Sequence, residues 1–350
     1  MTKFRKLKAL LLTLAITVTL VFSGCKAWSE SSLTDENVSS TASAEGSAQT
    51  SESSSAADES SVADVKPVQG EATPLIWEVK SSDGNNTLYL FGSIHVAEES
   101  VFPLNDTVMN AYNSSDCIAV EFDLIKAESD LQLQMQAAQM MLYSDGTTVK
   151  DHLTTETYDK TVAYLQEKNK YSPMLDYYHP FIFQQQLSLI AVEESGLSAD
   201  AGIDTQFLGL AKADEKEIIE VESMISQVEM SMQIPDEYYE ISILSAVDLL
   251  KTGTDTSTTQ LYNAWKTGDI QVIYSLLYSE EEVFSQEEAE IYAEYERLMM
   301  TDRNTLMAET ADQIIKDGKN CFFIVGLAHM IGDTGIVSQL EAMGYTVTRI

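Results

Sequence analysis

Basic residues are scarce in this chain of 350 residues, which has 21 Lys and Arg against 55 Asp and Glu and a net charge of −34. A surface with such an excess of acid repels the phosphates of nucleic acids and of anionic lipid headgroups. The composition therefore excludes a nucleic-acid-binding protein. It favours a well-solvated surface outside the cytoplasm, and also cationic partners or divalent metal ions.

Cysteine is also scarce, since the chain has three and no Cys-x-x-Cys pair, so a site of metal-binding thiolates is not expected. Cys117 and Cys321 each stand at the start of an apolar run. Two buried free thiols are the simplest interpretation. A disulfide between neighbouring strands is the alternative.

The N-terminus has the layout of a signal peptide. Basic residues within 3–8 precede an apolar run at 9–22, which is short for a membrane span. The "SGC" at 23–25 resembles a bacterial lipobox, so we expect cleavage before Cys25 and lipid on its thiol. An ordinary secretory signal or an uncleaved anchor is the alternative. We predict a lipoprotein signal peptide at 1–25 and a protein anchored to the cell membrane of a bacterium, facing the extracytoplasmic side.

The next segment cannot bury a core, because residues 29–70 are rich in Ser, Ala, Thr and acids and poor in large apolar residues. We therefore assign residues 26–73 to a flexible acidic, Ser-rich tether. Residues 74–350 remain for a single folded domain.

Strand patterns cluster at both ends of the folded part, and helical patterns fill its middle. The predicted strands are a hairpin in "LIWEVKSSDGNNTLYLFG" and the runs "CIAVEFD", "EIIEVES", "CFFIVG" and "YTVTRI". Helices are predicted at about 127–144 and 155–168, and in a long stretch from about 224 to 318. The fold class is therefore α/β, with a mixed central sheet, a Gly-x-x-His strand near each end of the domain and a large helical insertion between them.

Two of the four histidines stand in the same setting, in "LFGSIHV" and "FFIVGLAHM". Gly92 and His95 in the first stretch match Gly326 and His329 in the second. Glycine lets the backbone turn tightly after a buried strand, at the sheet edge where open α/β folds carry their sites. If the two strands are neighbours, both imidazoles converge, and they suit Zn, Mn, Co or Fe.

Glu121, near the end of "CIAVEFD", is the best third ligand. An acid there is costly to bury unless it is paired or binds a metal. The alternative for His95 and for His329 is a structural histidine with satisfied hydrogen bonds. We predict that His152, in a polar loop, and His179, at a helix start, lie away from the site.

Four segments resemble the TraB/PrgY/GumN family, which includes the Tiki proteases. They are "LYLFGSIHV", "VEFD", "GIDTQFLGLAKADEKEIIEVESMISQ" and the stretch from "DRNTLMAET" to "GYTVTRI". The resemblance spans roughly residues 75–350. It implies a metal-dependent hydrolase built on the two Gly-x-x-His motifs and an acid, with Mn or Co as the suggested metal and Zn as a further possibility.

Carried over residue by residue, the resemblance makes His95, Glu121 and His329 the metal and catalytic set. Arg303 and Asn304 match the family's Arg-Asn pair. Glu222 and Gln227 match an acid and a glutamine of the family; the alternative for both is an ordinary position at a helix start.

The expected activity is hydrolysis of a peptide or protein. Either Glu121 binds the metal and Glu222 or Asp123 takes the proton of a water, or Glu121 is itself the base. Arg303 can hold an oxyanion or a substrate carboxylate, or can form a structural salt bridge. The alternatives are a lipoprotein that binds a peptide or haem without turnover, and a small-molecule esterase on the same scaffold. The oligomeric state stays open.

Overall fold

The computed structural model describes most of the chain from Ala72 onwards. The described residues are Lys6–Leu7 and 72–350, without 82–83, 85, 254–256 and 280–284. The apolar run at 9–22, Cys25 and the tether up to residue 71 lie outside the described residues.

Within 72–350, packing starts at the first residues: Ala72 is buried, and the backbone N–H of Thr73 donates to the Lys266 carbonyl.

A six-stranded mixed sheet forms the centre of the fold, in the order β5-β4-β7-β3-β2-β8. The strands are β1 (Lys6–Leu7), β2 (Ile76–Lys80), β3 (Thr87–Ser93), β4 (Cys117–Val120), β5 (Glu217–Glu220), β6 (Tyr278–Ser279), β7 (Cys321–Gly326) and β8 (Thr346–Arg349). Strands β5, β4, β7 and β3 are parallel, whereas β2 is antiparallel to both β3 and β8. Strand β1 pairs with β6 outside this sheet.

The α-helices of the described residues surround the sheet. Along the sequence, most of them lie after β4 and before β7. They are α1 (Asp106–Ser114), α2 (Leu124–Ser129), α3 (Leu131–Met140), α4 (Val149–His152), α5 (Thr155–Glu167), α6 (Phe181–Ser195), α7 (Ile203–Ala213), α8 (Met224–Ser231), α9 (Asp236–Thr252), α10 (Ser257–Thr267), α11 (Ile270–Leu277), α12 (Gln286–Glu296), α13 (Asp302–Lys316), α14 (Leu327–Met330) and α15 (Ile336–Ala342). Short 3₁₀ turns lie at Glu99–Val101 and Pro173–Tyr177, and a π-helical turn at Arg297–Thr301 joins α12 to α13.

The mixed α/β class predicted from the sequence is confirmed, but two boundaries differ because acids cap helices. The helix predicted at about 127–144 is two helices, since Asp130 ends α2 and its side chain accepts from the backbone N–H of Leu133 in α3. The strand "CIAVEFD" ends at Val120, since Asp123 accepts from the N–H of Lys126 and caps α2.

Every residue of β4 and β7 is buried, as expected for parallel strands covered on both faces. Phe322 of β7 packs against Phe91 and Phe207, with ring centroids 5.4 and 4.9 Å away. Cys117 and Cys321 are directly opposite one another on β4 and β7, and both are buried free thiols. No helix in the part of the chain that the structure describes is both long and apolar enough to cross a bilayer.

Candidate functional site

The two Gly-x-x-His motifs lie on neighbouring parallel strands, offset by one residue. Gly92 pairs with Val325, and Ser93 pairs with Gly326. Gly92 therefore lies inside β3 and not in a turn, which corrects the expectation from the sequence. Close packing favours glycine there: a Cβ on Gly92 would lie 2.6 Å from Leu327 Cδ1, which must then move, and 3.2 Å from Leu327 Cα.

The motifs share a spacing but not a conformation, because the chain after Gly326 forms the short helix α14 whereas the chain after Ser93 does not. The functional side chains nevertheless surround one point. A Cβ on Gly326 would lie 3.3 Å from Glu121 Oε1 and 3.6 Å from both His95 Nε2 and His329 Cδ2. The bare backbone of Gly326 leaves a space that these three side chains face.

His95 is held by an aspartate that the sequence analysis did not identify. Its Nδ1 lies 2.9 Å from Asp204 Oδ2, and Ser93 Oγ donates to Asp204 Oδ1 at 2.5 Å. Burial alone would lower the pKa of His95, but the charge and hydrogen bond of Asp204 raise it to about 9. Asp204 lies in the first turn of α7. Acids are common at that position because a negative charge is favourable near a helix N-terminus.

His329 has the opposite electrostatic surroundings. Its Nδ1 lies 2.6 Å from Asn304 Oδ1, and an amide oxygen only accepts, so Nδ1 carries the proton and Nε2 has a free lone pair. Burial and the charge of Arg303 lower the pKa of His329 to about 3, so the ring is neutral. Asn304 is fully buried and its Nδ2 has no hydrogen-bond partner among the described residues, where the amide is held through its oxygen.

Glu121 follows the end of β4 and accepts hydrogen bonds at both oxygens. Oε1 accepts from the N–H of Gly326 at 2.9 Å, and Oε2 accepts from Arg303 Nη2 at 2.7 Å and Gln227 Nε2 at 2.9 Å. Burial is the largest single effect and raises the pKa of Glu121, but the charge of Arg303, together with smaller effects of both histidines and of the Gly326 N–H, holds this pKa well below its usual range. Glu121 is therefore ionised.

Arg303 connects two buried carboxylates. Its Nε and Nη2 donate to the two oxygens of Glu222 at 2.8 Å each, and Nη2 also reaches Glu121. Gln227 Nε2 bridges the same two acids, at 2.9 Å from each. The structure thus brings Arg303, Glu222 and Gln227 together around Glu121, and both Glu222 oxygens are occupied.

Asp123, the other acid considered as a proton acceptor, is engaged elsewhere. It caps α2, and Lys212 Nζ lies 2.7 Å from its second oxygen. Of the three acids proposed from the sequence, Glu121 lines the pocket at the centre of the site, a cavity of about 50 Å³. In the described ranges, no group of three or more His, Cys, Asp or Glu side chains is arranged to hold a metal ion.

The remaining two histidines form a separate cluster around Asp236, at the start of α9. His152 Nδ1 lies 2.7 Å from Asp236 Oδ2, and His179 Nε2 lies 3.5 Å from Oδ1. His152 ends the short helix α4 and is not in a loop, because Thr148 and Asp151 form a capping box that starts a helical turn.

Comparisons with known proteins identify a family that covers the folded part and two relatives that match a portion of it. The model of the TraB/PrgY/gumN family matches residues 75–349. The chain is 26% identical over 156 residues to the "Uncharacterized protein YbaP" of Escherichia coli (strain K12), a match that covers 44% of this chain and 55% of the relative. The same figures hold for the protein of that name from Shigella flexneri. The chain thus spans about half the length of the curated relatives that it matches. No solved structure matches the chain.

Proposed function

Because this chain belongs to the TraB/PrgY/gumN family, we propose that it is a metal-dependent hydrolase that cleaves a peptide or protein. We further propose that it works on the extracytoplasmic side of a bacterial membrane, tethered through lipid on Cys25. The single observation that supports catalysis best is the space beside Gly326, which His95 Nε2, Glu121 Oε1 and the His329 ring face together. A purely structural role would not require two imidazoles and a carboxylate around one open position.

The donor types suit a divalent ion, although the described side chains are not grouped around a metal position in this structure, and His95, whose pKa is about 9, would release a proton on binding. Each imidazole has its Nδ1 engaged, by Asp204 in one case and by Asn304 in the other, and metal-binding histidines are commonly oriented in this way. Two imidazole nitrogens and a carboxylate suit Zn, Mn or Co. We therefore propose that His95, Glu121 and His329 hold the ion. When bound, such an ion supplies Lewis acidity, which lowers the pKa of a water and polarises the carbonyl of the bond to be cleaved.

Neighbouring side chains hold the proposed metal ligands in position. Arg303 and Gln227 hold Glu121 through Oε2 and leave Oε1 beside the space at Gly326. Because a carboxylate with such a low pKa is a weak base, we assign Glu121 to metal binding and not to proton transfer. Arg303 engages Nε and Nη2 with carboxylates, so we assign it to positioning Glu121 instead of to holding an oxyanion. Asn304 selects the tautomer of His329 that presents Nε2 as an acceptor.

The experiment compares the parent chain with His95→Ala, His329→Ala and the double variant. Metal content of protein purified without chelator and affinity for Mn, Co and Zn by calorimetry are measured. Cleavage of a peptide library before and after metal removal is then tested. Ligands of one ion act as a unit, so all three variants should be metal-poor and almost equally inactive. His179→Ala, which removes a buried histidine outside the site, is the matched control and should keep its metal.

One outcome rejects the shared ion: a single variant that keeps near-parental metal affinity while the other loses it. Circular-dichroism melts separate this outcome from misfolding. A Soret band in the parent protein would favour haem binding instead. Cleavage of small esters but not of peptides would favour the esterase.

A further inference from the structure

The pocket beside Gly326 has a charged floor and an apolar wall. The floor carries His95, Glu121, Arg303 and His329. The wall is formed by Leu261, Leu277, Tyr295, Met299, Met300 and Leu327. None of the wall residues is charged, although the chain as a whole has a net charge of −34.

The wall depends on an irregular helical turn. Helix α12 passes through the π-helical turn Arg297–Thr301 into α13. A π-turn inserts an extra residue into a helix and is frequent at functional sites. Here the turn places Met299 and Met300 on the pocket, one turn before Arg303. Both methionines are almost entirely buried, at 3% and 2% exposure, so they form the inner surface of the wall and not its solvent-facing rim.

We infer that this wall is a subsite for one large uncharged apolar side chain of the substrate, next to the bond that is cleaved. The inference rests on the proposed peptide hydrolysis and specifies which substrate side chain that reaction would prefer. The wall offers no charged partner, so an acidic or basic side chain would lose water there without compensation. Methionine side chains adapt their shape, so Leu, Met and Phe all fit this description.

The test measures binding separately from cleavage. Seven-residue peptides of Gly and Ser, labelled at one end and differing in one central residue, are titrated into the full-length chain with chelator present. Fluorescence anisotropy gives the affinities. Peptides with central Leu or Phe should bind about 10-fold or more tightly than the one with Ala, the scale set by apolar pockets that gain methylenes. Asp and Lys should bind no better than Ala.

Two variants assign the preference to the wall. Met300→Gln keeps the side-chain length but adds an amide, so the preference for Leu over Ala should fall several-fold. Met300→Leu is the matched apolar control; it conserves volume and should keep the preference. The melting temperatures of both variants are compared with that of the parent. Met343→Gln, at an exposed site, shows the effect of adding an amide away from the wall.

Equal affinity for all central residues would overturn the subsite, and so would a Met300→Gln variant that folds and keeps the full preference. If the preference holds but no peptide is cleaved with any metal, the subsite stands and the proposed hydrolysis fails.

Discussion

His95 and His329 show how strongly a neighbour decides the state of a histidine. They stand in the same sequence motif, yet the carboxylate of Asp204 raises the pKa of His95 to about 9 while burial and Arg303 lower that of His329 to about 3. Neither partner lies within the motif. The sequence could therefore identify both imidazoles and the acid Glu121, but not their protonation, because that depends on contacts made by α7 and α13.

His179 should make the folded protein sensitive to mild acid. Burial lowers its pKa from 6.5 to about 4, and Asp236 offsets this only in part. Between these pH values the unfolded chain binds a proton that the folded chain does not bind, so stability falls as pH falls from about 6.5 to about 4. On moving from pH 7.5 to 5, the parent should lose about 2 kcal/mol more unfolding free energy than His179→Gln.

Urea unfolding at the two pH values measures this difference. His329 contributes in the same direction, but it is present in both proteins, so its effect cancels. Parallel losses in the parent and the variant would show that His179 carries no such penalty.

At the scale of single elements, the two motif glycines should respond differently to a methyl group. Gly92→Ala places Cβ against the backbone of Leu327, so β3 and α14 must separate, at a cost of about 1 to 3 kcal/mol. Gly326 has φ −50 and ψ 136, which alanine adopts without strain, and its nearest neighbours are the side chains of Glu121, His329 and His95. Gly326→Ala should therefore melt closer to the parent yet lose metal binding and cleavage.

Thermal melts and metal titrations of both alanine variants test this pair. The expectation fails if Gly326→Ala binds metal like the parent, or if Gly92→Ala is as stable as the parent.

Periodicity and turn residues were sufficient to predict most elements. The hairpin of β2 and β3, the strand β7 and the helix α5 follow from apolar spacing and from the turn-rich stretch "SSDGNN". The division of α2 from α3 depends on what the Asp130 side chain caps, which the sequence alone does not reveal. The π-turn is a change in hydrogen bonding within one continuous helix, and apolar spacing has no signal for it.

At the scale of the whole molecule, we propose that lipid on Cys25 tethers an acidic domain that folds independently of its anchor. Cys25→Ala should release the protein from the membrane fraction or leave the precursor uncleaved. It should not change the unfolding of residues 74–350, because the core of the part that the structure describes is formed by residues from Ala72 onwards. Cell fractionation, mass spectrometry and a denaturant melt measure the three properties. A variant that fractionates and migrates like the parent would show that the chain is not a lipoprotein.

The parallel pairing of β3 with β7 also determines when, during synthesis, the candidate site can assemble. Thr87 at the start of β3 donates its backbone N–H to the side chain of Asn320, 233 positions further along the chain. A ribosome therefore completes His95, Glu121 and Arg303 well before it supplies the strand that brings them together with His329. A nascent chain cannot assemble the centre during most of its synthesis, and a product truncated before residue 321 would lack it altogether. Under the proposed function, a partly made chain would therefore be unable to hydrolyse a peptide.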